Sequence, residues 1–198
     1  MSFPKSISAT LPFAAGLLIA LAAGWAAFPR AIYKTVRQPV NFSHKVHAEK
    51  GGQKCDDCHS FRADGSFAGV PTLDKCAACH AVPMGTSADE KSFIDQYVTP
   101  NREPHWLVYA RQPENVYFSH VTHVKLAGMK CESCHGDEGS TDSLRPYQED
   151  RISTYSRDIW GRPAAHSLFR TAGGMKMDDC VDCHRRQGLA HSCLDCHK

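Results

Sequence analysis

The chain opens with an apolar run, Leu11 to Phe28 (LPFAAGLLIALAAGWAAF), that holds no charge over 18 residues. As a helix such a run rises about 27 Å, close to the hydrocarbon thickness of a bilayer, and it predicts one N-terminal transmembrane helix. Lys5 precedes it and Arg30, Lys34 and Arg37 follow it. The downstream positives run against the positive-inside bias, so the flanking charges do not orient the helix. Ala20-Leu21-Ala22 has the small-x-small look of a processing site, and a cleaved export signal therefore competes with a retained anchor. The length of the apolar run favours retention. Gly16, Ala20 and Gly24 recur every four residues, a stripe on which a second membrane helix would approach closely, although Ala-rich leaders also generate such patterns.

Beyond residue 30 the hydrophobic positions break into short pieces between turns, with 14 Gly and 11 Pro in the whole chain. Ser87-Ala88-Asp89-Glu90 reads as a capping box that opens a short helix with Phe93, Ile94 and Tyr97 on one face. Pro100-Asn101-Arg102-Glu103-Pro104 ends it. Gly136 to Asp142 is acidic and turn-like, and Arg145 to Arg170 mixes arginines with Tyr147, Tyr155, Trp160 and Phe169. Long connections of this kind in a small domain predict docking surfaces.

The cysteines change the picture. All 10 fall into five copies of Cys-x-x-Cys-His: Cys55/Cys58/His59, Cys76/Cys79/His80, Cys131/Cys134/His135, Cys180/Cys183/His184 and Cys193/Cys196/His197. None is left for a disulfide. Each copy is the attachment signature of a c-type haem, which predicts five covalent haem c groups, roughly one for every 34 residues after the apolar run. A chain so rich in cofactor has little room for a polypeptide core. The expected fold is mainly α and loop, a multihaem cytochrome c with little regular secondary structure and a haem-packed core. Zinc is the other use of Cys-x-x-Cys pairs, but a His directly after every pair argues against it.

These thioether bonds form outside the cytoplasm, so the haem motifs place the chain beyond the inner membrane, on the periplasmic side, with the apolar helix as anchor. Lys and Arg sum to 23 against 21 Asp and Glu, a formal +2 that leaves no nucleic-acid footprint. Haem propionates would make the loaded protein mildly acidic.

An internal repeat points to the remaining ligands. Val40-Asn41-Phe42-Ser43-His44-Lys45-Val46-His47 precedes Cys55 as Val116-Tyr117-Phe118-Ser119-His120-Val121-Thr122-His123 precedes Cys131, at a constant offset of 76 that also pairs Gly52 with Gly128 and Lys54 with Lys130. In each haem motif the His binds the iron from one face, and a second His is the common partner on the other. Two histidines three apart on one helical turn cannot reach one iron from the same side, but they can serve two adjacent haems. Of the 12 His, seven lie outside the motifs: His44, His47, His105, His120, His123, His166 and His191. Seven candidates suffice for five open faces, and the two to spare would also serve a sixth, non-thioether haem. The repeat divides the chain into an anchor (residues 1–30), a two-haem unit (31–115) and a three-haem unit (116–198).

Phe-x-His-x-x-His, a short Lys/Gly-rich spacer and Cys-x-x-Cys-His resemble the opening of class III multihaem cytochromes c, and residues 116–198 look like one complete three-haem member. The resemblance implies His120 opposite His135, His123 opposite His184 and His166 opposite His197. In the first half it implies His44 opposite His59 and either His47 or His105 opposite His80, with His47 preferred. The first half departs from the family in holding two motifs. The 44 residues between His135 and Cys180 are more than a compact member needs.

The anchor, the two-plus-three haem layout and the length are similar to the pentahaem-type subunits of alternative complex III and of its menaquinone-reducing relative. That similarity implies a subunit transferring electrons between a soluble periplasmic cytochrome c and two partners, an iron–sulfur subunit and an integral membrane quinone-binding subunit. All-His ligation favours the menaquinone-reducing relative, because axial Met raises potentials. A stand-alone membrane-anchored quinol dehydrogenase shares anchor and size, yet those proteins carry a Met two residues past the first motif His, where this chain has Ser60-Phe61. A multihaem reductase needs an iron with an open face, which five His-ended motifs and seven further His do not leave. No catalytic residue of its own is expected in such a chain.

Overall fold

Residues Lys5–Ile32 form one continuous helix, α1. The computed structural model describes residues 5–159, 175–189 and 192–198. The segment Thr10–Phe28 of α1 is long and apolar enough to cross a membrane, with mean hydropathy 1.9, and its side chains are exposed. The helix runs straight into strand β1 (Tyr33–Val36), which pairs antiparallel with β2 (Tyr147–Asp150), Tyr33 opposite Asp150 and Val36 opposite Tyr147. Arg151 N–H donates to Ile32 O at 2.9 Å, so the foot of α1 is tied to the chain beyond β2.

The remaining elements are short: α2 (His44–Glu49), α3 (Cys55–Cys58), α4 (Leu73–His80), α5 (Ala88–Phe93), α6 (Glu132–His135), α7 (Met177–Arg186) and α8 (Cys193–Cys196). Helix α5 continues as a π-helical turn, Ile94–Val98, and a second π-helical turn spans Val121–Leu126. The described residues are therefore mainly helix and loop, as expected, with one two-stranded sheet among them.

Among the described residues the buried hydrophobic side chains are Leu73, Phe93, Ile94 and Tyr147. The first three form one cluster with Val40, Cys76, Tyr97 and Val98 around it. The apolar face read at Phe93, Ile94 and Tyr97 is thus the face that packs. The capping box is not formed: Ser87 precedes α5 without a side-chain cap, and Glu90 turns away to other partners. So small a polypeptide core cannot by itself offset the entropy of ordering a chain of this length.

The repeat has a structural counterpart. Gly52 and Gly128 adopt φ of 66° and 65°, a left-handed conformation that glycine takes without the clash of a Cβ. Of the stretch Arg145 to Arg170, expected to form a docking surface, residues 145–159 are described, and several of them meet aromatic or arginine side chains within the chain. Arg145 lies over Tyr109 (4.7 Å), Arg157 over Tyr33 (5.0 Å) and Arg111 over Tyr155 (5.6 Å), each a cation–π contact. Trp160 and Phe169 fall outside the described residues.

Candidate haem sites

Each motif places its two cysteines three apart on one helical turn, so both thiols face the same side and the His follows directly. Acidic residues start several of these turns. Asp57 accepts from Lys54 N–H at 2.7 Å, Asp179 from Lys176 N–H at 2.8 Å and Asp195 from Ser192 N–H at 2.6 Å. These carboxylates satisfy backbone donors that a helix start leaves unpaired, and they favour the positive end of the helix.

The thiols divide by exposure. Cys55, Cys79, Cys131 and Cys193 are exposed, whereas Cys58, Cys76, Cys134, Cys180, Cys183 and Cys196 are half-buried. Neighbouring motifs meet through the half-buried set. Cys58 of motif one lies within electrostatic reach of Cys76 and Cys79 of motif two. In the same way Cys134 of motif three lies within reach of Cys180 and Cys183 of motif four. Burial above all pushes the Cys58, Cys76, Cys134 and Cys180 thiols up, because it penalises the thiolate. Sequence spacing assigns Cys183 to its own motif and to nothing else. In the fold that assignment is incomplete: Cys183 sits in α7 half-buried and close to Cys134, and its carbonyl accepts from Gln187 N–H at 3.1 Å. A contact made across the chain leaves no trace in a Cys-x-x-Cys-His string.

The imidazoles meet in pairs. His120 and His135 have ring centroids 6.4 Å apart and planes 5° from parallel; His123 and His184 stand 6.1 Å apart at 10°. His47 and His80 stand 6.0 Å apart at 58°. Two metal–imidazole bonds of about 2 Å each, plus about 1.2 Å from nitrogen to ring centre at both ends, separate the centroids of trans ligands by about 6.4 Å. All three pairs fit a bis-histidine iron, since rotation about the common axis leaves the interplanar angle free. His44 lies within electrostatic reach of His59. His105 is exposed in the loop after Pro104, whereas His47 faces His80. His166 and His191 fall outside the described residues.

The residues around the double-His turns explain the rest of the repeat. Phe42 stacks on His47 (4.3 Å) and meets His44 edge-on (4.9 Å); Phe118 does the same to His123 (4.8 Å) and His120 (4.8 Å). Ser43 Oγ accepts from Val46 N–H, and Ser119 Oγ from Thr122 N–H, starting each turn. The same serines act through their carbonyls: His47 Nδ1 donates to Ser43 O at 2.7 Å and His123 Nδ1 to Ser119 O at 2.8 Å. A carbonyl only accepts, so the proton sits on Nδ1 and the Nε2 lone pair is free for a metal. The roles of these Phe and Ser residues were visible in the sequence only as repetition.

Other partners come from afar. His59 Nδ1 donates to Gly69 O at 2.7 Å, and His80 Nδ1 to Glu90 Oε1 at 2.8 Å. Thr141 Oγ1 donates to Glu138 O and so presents a lone pair to His44 Nδ1, 3.3 Å away. Phe67 stacks on His120 with centroids 4.1 Å apart. Each half of the chain thus supports the outer histidine of the other half's first motif. The Cys55 and Cys131 thiols, equivalent in the repeat, lie beside each other, and burial first, then Cys131, pushes the Cys55 thiol up. Burial above all holds His44, His120 and His135 below the ordinary imidazole range, in the neutral form that binds metal.

Contacts therefore link the motifs in one row. The turn of His44 and His47 joins motifs one and two, the Phe67 and Thr141 contacts join one and three, and the turn of His120 and His123 joins three and four. Cys196 lies within electrostatic reach of Cys180, which sets motif five beside motif four, and its carbonyl accepts from Tyr117 N–H at 2.8 Å, which ties motif five to the stretch leading into the second double-His turn.

Haem motifs on a helix-and-loop frame define a multihaem c-type cytochrome. The class III cytochrome c family model matches residues 25–103, which hold the first double-His turn and the first two motifs. The menaquinone reductase, multihaem cytochrome c subunit of Nitratidesulfovibrio vulgaris (strain Hildenborough) is 38% identical over 203 aligned positions, covering 94% of this chain and 89% of that relative. The chain belongs to the family of that multihaem cytochrome c subunit. Its cofactor is covalently bound haem c, and its work is electron transport.

Proposed function

We propose that the chain is the periplasmic multihaem subunit of a membrane menaquinone reductase, holding five covalent haems between a soluble cytochrome and the membrane subunits. The observation that carries this reading is the second double-His turn, where His120 faces His135 and His123 faces His184. One helical turn so placed serves two irons, and a reader of electrons rather than of substrates needs that closeness.

Haem supplies one-electron chemistry at each motif. The protein's own residues do the rest. Motif histidines and the outer set His44, His47, His120, His123 and His166 would hold each iron from its two faces, which would leave no open face for substrate. Nδ1 hydrogen bonds fix the ring orientations, and the thioether turns fix the porphyrin edges. Haems held at the motifs would carry electrons between neighbours in the order two–one–three–four–five. His105 and His191 are left over in this scheme. The division into an anchor, a two-haem unit and a three-haem unit follows the row, with its junction between motifs one and three.

The relative's role supports menaquinone as the acceptor side, and α1 supports a position at the membrane. The integral quinone-binding subunit and the iron–sulfur subunit are the partners that this role requires, with a soluble periplasmic cytochrome c as donor. Purification from native membranes in mild detergent, with mass spectrometry of what co-migrates with haem absorbance, tests the reading. Multi-helix and iron–sulfur subunits in the same band, together with menaquinone reduction by a reduced soluble cytochrome, are expected. A chain that migrates alone and oxidises quinols overturns it.

A further inference from the structure

Five histidines that are read here as iron ligands have a partner on Nδ1, and four of these partners are neutral. His47, His59 and His123 donate to the carbonyls of Ser43, Gly69 and Ser119, and His44 faces the Thr141 hydroxyl. His80 alone among these five donates to a carboxylate, Glu90 Oε1, at 2.8 Å, with both side chains largely withdrawn from water (21% and 12% exposed).

Glu90 is held as an anion. Met84 N–H donates to Oε1 at 2.7 Å and Gly85 N–H to Oε2 at 3.0 Å, so three donors converge on the group and none needs a proton from it. Phe93 presents its edge to His80 (6.1 Å) and belongs to the Leu73–Phe93–Ile94 cluster. An apolar wall on that side lowers the local dielectric and strengthens the charge's effect.

We propose that Glu90 sets the potential of the haem held at Cys76, Cys79 and His80, lowering it below the value that a neutral Nδ1 partner would give. A carboxylate that accepts the Nδ1 proton makes the imidazole a stronger donor, and a stronger axial donor favours the ferric over the ferrous iron. The trans ligand His47 leans on a carbonyl, so the asymmetry comes from the His80 side. Glu90 is a positioning residue acting through His80, and its haem stands at one end of the row. That haem would therefore take up an electron less readily than the same haem with a neutral partner on Nδ1. The inference rests on His80 being an iron ligand.

The test uses the full haem-loaded chain in detergent, titrated by potentiometry with optical and electron paramagnetic resonance detection. His80→Ala should turn one haem high-spin and displace one midpoint, which identifies the haem. Glu90→Gln should raise that same midpoint, changing its oxidised-to-reduced ratio about tenfold, or about 59 mV for a one-electron couple, with every haem still low-spin. Glu90→Asp keeps the charge at shorter reach and should raise it by less. Glu90→Gln leaving all midpoints in place overturns the proposal, as does Glu90→Asp raising the midpoint as much as Glu90→Gln does. So does a high-spin haem in Glu90→Gln, because the carboxylate would then hold the ring rather than set its charge. His80→Ala without effect on spin or midpoints overturns the ligand assignment instead.

Discussion

His123 and His184, far apart in the chain, bring their imidazoles to 6.1 Å between centroids with planes 10° from parallel. Its neighbour one turn back, His120, faces a different motif. His123→Ala should leave the iron of His184 five-coordinate and turn one haem high-spin, visible by electron paramagnetic resonance. A spectrum and redox titration identical to the native protein would remove the pairing.

Phe67 and Thr141 carry the crossed support between the halves. Phe67→Ala should lower stability by about 1–3 kcal/mol, less than a fully buried Phe→Ala, because the ring is half-buried. It should also shift the low-spin signal of the haem bound by His120. Thermal unfolding followed at the haem absorbance reads the first effect, and a signal unmoved by the substitution would count against the stacking role.

The left-handed glycines of the two halves make a paired test. Gly52→Ala and Gly128→Ala should each cost about 1–2 kcal/mol from backbone conformation alone, since a Cβ meets nothing within 4 Å at either site. Equal losses in unfolding experiments are expected. A large difference between the two would show that the halves do not share this turn.

Asp150 accepts from Ile152 and Ser153 N–H, and those backbone donors hold its carboxyl below the usual carboxylate range. A depressed folded-state value means that the stabilisation is whole above the unfolded value of about 3.9 and is lost as pH falls through the lower folded value. Asp150→Ala should therefore unfold at a lower temperature than the native chain near pH 7, and the gap should shrink below about pH 4. A gap independent of pH would mean that the charge contributes nothing.

Helix α1 predicts the behaviour of the intact protein. Intact mass should equal the full 21.9 kDa chain, with or without Met1, plus its haems. Removing residues 1–30, ahead of β1, should give a haem-loaded protein that leaves the membrane fraction. An N-terminus at Ala23 in the native protein would show processing instead.

Much of this was legible because haem attachment imposes a local spacing. Cys-x-x-Cys-His needs one helical turn and a ligand directly after it, and the double-His turn needs i and i+3, so both appear as strings. The apolar run and the Phe93, Ile94, Tyr97 face were legible for the same reason. Partners that meet across the chain were not. Cys183 carried its own motif in the sequence but not its approach to Cys134. Thr141 sat in a stretch read only as acidic and turn-like, and Phe67 in no motif at all. Glu90 was read as half of a capping box, the local solution for its spacing, while the folded chain spends it on His80. Strand β1 has only four residues, too few for alternation to show, and its pairing with β2 spans most of the chain.

That pairing decides where the membrane holds the molecule. Helix α1 passes into β1, β1 into β2, and Arg145 just before β2 pairs with Glu138, whose electrostatic reach covers both His44 and His135. The tether thus meets the row of motifs beside the seam between the halves, not at either tip. Under the function proposed above, a relay moored at its midpoint would leave two free ends, so that a donor arriving from solution and an acceptor fixed in the membrane would not have to share a berth.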